Sequence, residues 1–287
     1  METRGNPSNR SSEALWQQLS APSAKYSDFA YPKVSIIIPT FNSAKTLPLT
    51  FDSLLTQDYP DYEIIVVDGG STDRTLQTVK SYRRERIRIY SVSYYGRYEM
   101  LNKGITHANG LYLNFLFPGD FYLHYQTIKL MMDLALDNAK PNLTYCGCVL
   151  HETNTNIKIL NRPLTVELLK SGRQPTSIQS CWFRADVFRK IGKFPTDYVM
   201  RGGYDLLCRF CLHEELRFVS TSRVLTDYDL RGTGRQMVFQ HFWETAKTIY
   251  ARFGVMTMLK WLLFQQRDLS RYIRLWFSGL RVAFLGR

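Results

Sequence analysis

The 287-residue chain contains no uncharged apolar run of the roughly 18 residues that read as a membrane-spanning helix. Residues 1–12 are polar, rich in Asn, Ser and Arg, and lack the apolar segment of a secretory signal. Cysteine is sparse. The five, at 146, 148, 181, 208 and 211, form an odd set without dense spacing, which speaks against a disulfide framework and for a reducing compartment. Cys146-Gly-Cys148 and Cys208-Arg-Phe-Cys211 could be paired as a zinc site, but the first pair lies in a strand-like run and the second inside a helical pattern. Acid is the scarcer charge: 25 Asp and Glu stand against 37 Lys and Arg, a net of +12. That excess attracts nucleic acid, anionic lipid or nucleotide phosphates without choosing among them. The basic residues are scattered and no nucleic-acid module is legible, so nucleic acid is not an expected partner. The scarcity is sharpest in NFLFPGDFYL (114–123), which holds one carboxylate, Asp120.

What is present reads as a globular chain, with 45% hydrophobic and 22% charged residues and enough length for a core. Its 18 tyrosines either bury area or supply stacking faces for bases or sugars. Residues 1–32 are a polar lead-in, expected to be loose. VSIIIP (34–39) and YEIIVVD (62–68) read as strands buried on both faces, RIRIYSV (86–92) as a more exposed one, and LYLNFLF (111–117) and LTYCGCVL (143–150) as two more. Between them, 42–57, 74–85, 97–108 and 127–139 have helical spacing, with Pro48 early enough to be tolerated and Ser71 or Thr72 placed to cap the second. Alternating buried strands and helices predict an α/β fold: an open, mostly parallel sheet with helices on both faces. Ligands in such sheets sit beyond the carboxyl ends of the strands, so Pro39-Thr40-Phe41-Asn42, Asp68-Gly69-Gly70-Ser71 and Pro118-Gly119-Asp120 are expected to meet at one crevice.

The three strand ends, in this order, resemble the family 2 inverting glycosyltransferases over roughly residues 33–230. The likeness rests on VSIIIPTFN, SLLTQDYPDYEIIVVDGGSTDRT and YEMLNKGITHANGLYLNFL. The resemblance implies a nucleotide-sugar-binding fold of the GT-A type, Rossmann-like, with sugar transfer from a nucleotide-sugar donor to a saccharide or lipid-linked acceptor, of the bacterial polysaccharide-assembly kind. It implies nucleotide-binding roles for Pro39, Thr40, Phe41, Asp68, Ser71, Asp73, Asn102 and Lys103. Residue chemistry agrees at several of them. Phe41 offers a face for a base, Asp68 can accept hydrogen bonds from a base or ribose, and Gly69 and Gly70 admit a ligand to the backbone. Asp73 reads equally well as a charge at a helix N-terminus, and Asn102 and Lys103 as a solvated helix face.

Two segments depart from the family pattern. Where the family reads F-L-N-x-D-D, the acidic motif that holds a divalent ion, this chain has Phe115-Leu116-Phe117-Pro118-Gly119-Asp120. Asp120 is therefore the expected ligand for Mg²⁺ or Mn²⁺, or else a turn-capping residue. Where the family reads x-A-D-Y-D-L-x-x-R around its general base, this chain has Arg201-Gly202-Gly203-Tyr204-Asp205-Leu206-Leu207-Cys208-Arg209. Gly203 takes the base position, and Asp205 becomes the catalytic candidate, with helix capping as its other reading. The family's Pro-x-x-His-Gln is here Pro175-Thr176-Ser177-Ile178-Gln179. The transferase domain is expected over 33–234, followed by a helical basic extension, 235–287. Its last stretch sets Lys260, Arg267, Arg271, Arg274, Arg281 and Arg287 against Asp268 among large aromatics, a composition suited to an anionic membrane surface or to packing on the domain. The sequence thus predicts a cytoplasmic glycosyltransferase, peripheral on the inner face of the membrane if the tail binds lipid. The alternative is a catalytically impaired nucleotide-sugar-binding partner of an active enzyme.

Overall fold

Two heptapeptides of mostly β-branched residues build the centre of the molecule. β1 (Val34–Thr40) and β2 (Tyr62–Asp68) are buried at every position and pair in parallel from Val34↔Tyr62 to Thr40↔Asp68. The computed structural model describes residues 31–82, 85–93, 96–151, 156–229 and 235–264. The tail beyond 264, and all but the end of the lead-in, lie outside these residues. β3 (Ile87–Ser91), half-buried as expected, pairs with β2, and β4 (Tyr112–Phe115) pairs with β1, both in parallel. Then come β5 (Leu143–His151), β6 (Ile157–Leu160), β7 (Cys181–Arg184) and β8 (Phe218–Asp229). The sheet order is β3-β2-β1-β4-β7-β5-β6, with β8 parallel to β5. β7 is antiparallel to both β4 and β5, an inserted strand that the sequence reading did not anticipate.

Helices follow the parallel strands. α1 (Leu47–Leu55) starts with Pro48 in its first turn and buries Leu47, Phe51 and Leu54. α2 is Thr75–Ser81, and neither Ser71 nor Thr72 caps it. α3 (Arg97–His107) lies so close to β1 that a Cβ on Gly104 would stand 2.3 Å from Ile37 Cγ2, which only glycine avoids. α4 is Thr127–Asp137, and two short helices, α5 (Val166–Lys170) and α6 (Val187–Lys190), flank β7. α7 (Gly202–Cys211) carries the segment expected around the base.

The region expected as an extension opens with α8 (Arg235–Phe253) and α9 (Val255–Phe264). α8 is stitched to the core: Thr248 Oγ1 meets Tyr198 Oη at 3.0 Å, Lys247 pairs with Asp197, and Arg252 Nε donates to Asp205 at 2.9 Å. Among the described residues no helix is long and apolar enough to cross a membrane. All five cysteines are free. Cys146, Cys148, Cys181 and Cys208 are buried, and Cys211 is half-buried. Burial pushes the thiols of Cys146 and Cys181 far up and that of Cys208 up to about 12.

Candidate active site

The turns after β1 and β2 are tied to each other by their own side chains. Asp68 Oδ2 accepts from the backbone N–H of Gly70 (3.1 Å) and Ser71 (2.9 Å), and Oδ1 from the hydroxyls of Thr40 (3.2 Å) and Ser71. Four bonds exhaust a carboxylate's acceptor capacity. Asn42, at φ 47°, accepts through Oδ1 from the N–H groups of Thr72 (2.9 Å) and Asp73 (3.3 Å), while its own N–H donates to Ser71 Oγ at 2.9 Å. Asp73 accepts from Thr75 on one oxygen and from the Ala44 N–H at 3.1 Å on the other. The Thr75 hydroxyl, foremost, holds its carboxyl below the usual range. Asn102 grips the backbone of Phe194 twice, donating to its carbonyl at 2.8 Å and accepting from its N–H at 3.0 Å. Lys103 is exposed.

A cavity of about 910 Å³ opens beyond the strand ends. Pro39, Phe41 and Asp120 line it. Thr40, Asp68, Ser71, Asp73, Asn102, Lys103 and Asp205 do not. For Asp68, Asp73 and Asn102 the reason is visible in their bonds, which brace loops and leave little for a ligand. Phe41 is 42% exposed, so a ring face is presented at the cavity.

Asp120 follows a tight turn. Gly119 takes φ 104°, a conformation that favours glycine, and the Asp120 N–H donates to the Phe117 carbonyl at 2.9 Å. Its Oδ2 accepts from the Phe117 N–H (3.1 Å) and from Gln179 Nε2 (2.8 Å). Burial raises its pKa to about 7. Gln179 and Phe117 act the other way, Asp227 adds to the rise, and Arg97 opposes it. A divalent ion needs anionic oxygens that are ionised and free. Asp120 offers one carboxyl, whose Oδ2 is already engaged by Phe117 and Gln179. Among the described residues no three acids, histidines or cysteines stand together as a ligand set. The donor set at Asp120 does not fit the metal expected there.

The far wall is the loop 196–200 with the first turn of α7. Glu244 of α8, 1% exposed, holds it: Oε1 accepts from the Val199 N–H at 2.6 Å, and Oε2 from the Met200 (2.9 Å) and Arg201 (2.7 Å) N–H groups. The carboxylate thus satisfies three successive N–H groups of the loop that leads into α7. Asp205 is a correction to the sequence reading. It is 1% exposed, and its oxygens accept from Arg209 Nε at 2.8 Å and Arg252 Nε at 2.9 Å, so its role is to bind α8 to α7. Gly203 does line the cavity. A Cβ there would stand 3.2 Å from Ile178 Cβ, so isoleucine occupies the space an acidic side chain at 203 would enter.

Two lining residues escaped the sequence reading. Glu99, at the acid position of the family's Y-D-A-M-N-K-G, has a buried Oε2 with no hydrogen-bond partner among the described residues. Its alignment with that Asp was the available signal. Arg97 stacks its guanidinium 5.2 Å from the centroid of the Phe117 ring. Nothing in the sequence marked it, because that stacking joins α3 to the turn after β4.

The turns after β1 and β4, facing one cavity at the strand ends of a mostly parallel sheet, define an α/β architecture with its ligand crevice beyond the carboxyl ends of the strands. The sequence profile of glycosyl transferase family 2 matches residues 35–192, and the chain belongs to that family. It is 34% identical over 128 residues to a PGL/p-HBAD biosynthesis glycosyltransferase of Mycobacterium bovis, covering 44% of this chain and 50% of that one. The chain spans about half the length of such curated relatives. Its fold is similar to that of S. aureus TarS 1–349 in complex with UDP-GlcNAc (TM-score 0.61, 19% identity, 76% of this chain and 66% of that one). It is also similar to that of the mannosyltransferase PcManGT from Pyrobaculum calidifontis in complex with GDP-Man and Mn²⁺ (TM-score 0.59, 18% identity, 96% and 89%). The fold is of the GT-A type.

Proposed function

We propose that the protein transfers a sugar from a nucleoside-diphosphate sugar to a saccharide or lipid-linked acceptor. The observation that carries this reading is the shared cavity: Pro39 and Phe41 after β1, the Phe117–Asp120 turn after β4, and the loop leading to Gly203 all line it. The base stacks on Phe41. Asp68, Ser71 and Asp73 support the site by holding that turn in shape. The reaction breaks the bond between the anomeric carbon and the diphosphate and forms one to an acceptor oxygen. A carboxylate must take that oxygen's proton. Asp197 is mostly exposed and paired with Lys247, Asp120 is hydrogen-bonded and buried, and Asp229 is exposed and has a partner of its own. Glu99 is the lining acid with a buried oxygen left unpartnered among the described residues, which makes it our candidate base. A divalent ion such as the Mn²⁺ bound with PcManGT finds a poor set of oxygens at Asp120.

Incubation with a pool of UDP- and GDP-sugars and lipid-linked or free saccharide acceptors tests this. Acceptor-dependent release of the nucleoside diphosphate is expected, with Glu99→Gln slowed by about 10²–10⁴-fold. Gly203 and Ile178 support the second reading, a binding protein that has lost its proton acceptor. Nucleotide binding without turnover over the whole pool would favour it. Docking at the cytoplasmic face of an anionic membrane is part of the first reading. It is supported by the apolar side chains that α8 and α9 expose, including Trp243, Met256, Leu259 and Leu263. Salt-sensitive co-sedimentation with anionic liposomes tests that part.

A further inference from the structure

A nucleoside diphosphate brings at least two negative charges into this cavity, whose lining already includes Glu99, Asp120, Asp197 and Asp229. A cation must meet it. The donor set at Asp120 does not suit a divalent ion, for the reasons of engagement and spacing given above. Among the described residues Arg97 is the only lysine or arginine in the lining. Other arginines of the core are engaged elsewhere and lie outside the lining, although Arg88 and Arg201 each keep a buried Nε without a partner among the described residues. Arg88 pairs with Glu63, Arg209 and Arg252 with Asp205, and the buried Arg201 donates to the Gly172 carbonyl and to Gln174. Arg97 makes no hydrogen bond or ion pair with another described residue. The guanidinium carbon of its side chain instead lies over the Phe117 ring, 5.2 Å from the centroid, next to the Pro118-Gly119-Asp120 turn. A stacked guanidinium keeps its N–H edges free, and those edges match paired phosphate oxygens.

We propose that Arg97, stacked on Phe117, meets the diphosphate of the sugar donor in the place where a divalent ion was expected. The inference rests on the transferase reading. Arg97 binds the ground-state diphosphate and steadies the charge that grows on it as the glycosidic bond breaks. No proton moves to or from the guanidinium.

Calorimetry with UDP, GDP, uridine and guanosine, in EDTA and in excess Mn²⁺, tests it on the intact chain. At least one diphosphate should bind in EDTA, within about threefold of its affinity in Mn²⁺, and more tightly than its parent nucleoside. Arg97→Met should weaken the diphosphate by about 10–100-fold, the loss of one charge-assisted pair, while leaving the nucleoside unchanged. Arg97→Lys should recover part of the loss, and Phe117→Leu, which keeps the charge and removes the stack, should lose less. An unchanged melting curve certifies that Arg97→Met is folded. Binding that vanishes in EDTA and returns with Mn²⁺ overturns the inference and leaves the transferase reading standing. So does equal affinity of Arg97→Met and the wild type. If no diphosphate binds under either condition, the transferase reading falls, and this inference with it.

Discussion

The two walls of the cavity are held by opposite means. The wall after β1 and β2 is self-braced: Asn42, Asp68, Ser71 and Asp73 bond to backbone within a few residues of themselves or across two adjacent turns. The opposite wall, from Thr196 to Gly203, is braced from outside, by a helix that begins more than thirty residues later in the chain. Glu244 grips three of its backbone N–H groups, Thr248 its tyrosine and Arg252 the aspartate of α7. One wall depends on a local motif, the other on tertiary packing. The donor side is therefore built to stay fixed, and the acceptor side can be altered by changes at a distance.

The largest effect is expected where the two walls join, at Asp120, which ends the turn after β4 and accepts from Gln179 across the sheet. Its folded pKa of about 7 lies above the unfolded value of 3.8. The folded chain keeps the proton where the unfolded chain has lost it. The resulting stability is full below about pH 4 and is lost as pH rises through about 7, with a loss on the order of 4 kcal/mol. Urea denaturation across this range should show the wild-type stability falling relative to Asp120→Asn as pH rises, the difference isolating Asp120 from carboxyls such as Asp73, Asp186 and Asp197 that titrate in both. A wild-type profile without this relative decline would remove the buried, protonated carboxyl.

Next comes the external brace. Glu244→Ala strands three N–H groups of the loop that leads into α7 and should cost on the order of 3 kcal/mol, together with sugar transfer. The same measurement on Ser71→Ala, in the self-braced wall, should show about 1 kcal/mol. Equal losses would erase the distinction between the walls. Asp205→Asn should destabilise by about 2 kcal/mol, since Arg209 and Arg252 lose a buried partner but retain carbonyls or solvent. Its transfer rate per folded molecule should match the wild type, and a rate collapse at unchanged stability would reinstate Asp205 as the base. The smallest effect concerns Gly203. Gly203→Asp should cost about 1–2 kcal/mol through crowding against Ile178 and bring no gain in rate. The double change Gly203→Asp with Ile178→His should relieve the crowding. Faster transfer in the double variant alone would show that the two positions changed together.

The same contrast explains what could be read from residues alone. The strands VSIIIPT and YEIIVVD declare themselves because burial on both faces leaves a continuous β-branched run, and the helix of 97–107 because its NG stop follows at once. The converging strand ends follow from the parallel order. β7 and β8 were missed because an antiparallel insertion and a strand added beside β5 from far along the chain need partners that no local pattern names. Asp205 misled for a similar reason. Its place in the motif is visible in sequence, but the arginine on α8 that engages it is 47 residues away. Asp68 and Asp73 were legible as strand-end acids, but the bonds each makes within its own turns, to Gly70, Ser71, Thr75 and Ala44, come from loop geometry that no residue pattern spells out.

The burial of the cysteines gives the protein a built-in reporter. Four thiols are sealed in the core, and Cys211 alone is half-accessible, at the far end of the helix whose first turn borders the cavity. Alkylating probes should therefore reach Cys211 ahead of the other four without any engineered substitution, slowly because partial burial raises its pKa. A fluorophore or spin label placed there rides on α7, the element clamped between Glu244 and Arg252. A change in its signal when nucleotide and then acceptor are added would record, in the unaltered sequence, how far each ligand's arrival is felt along that helix.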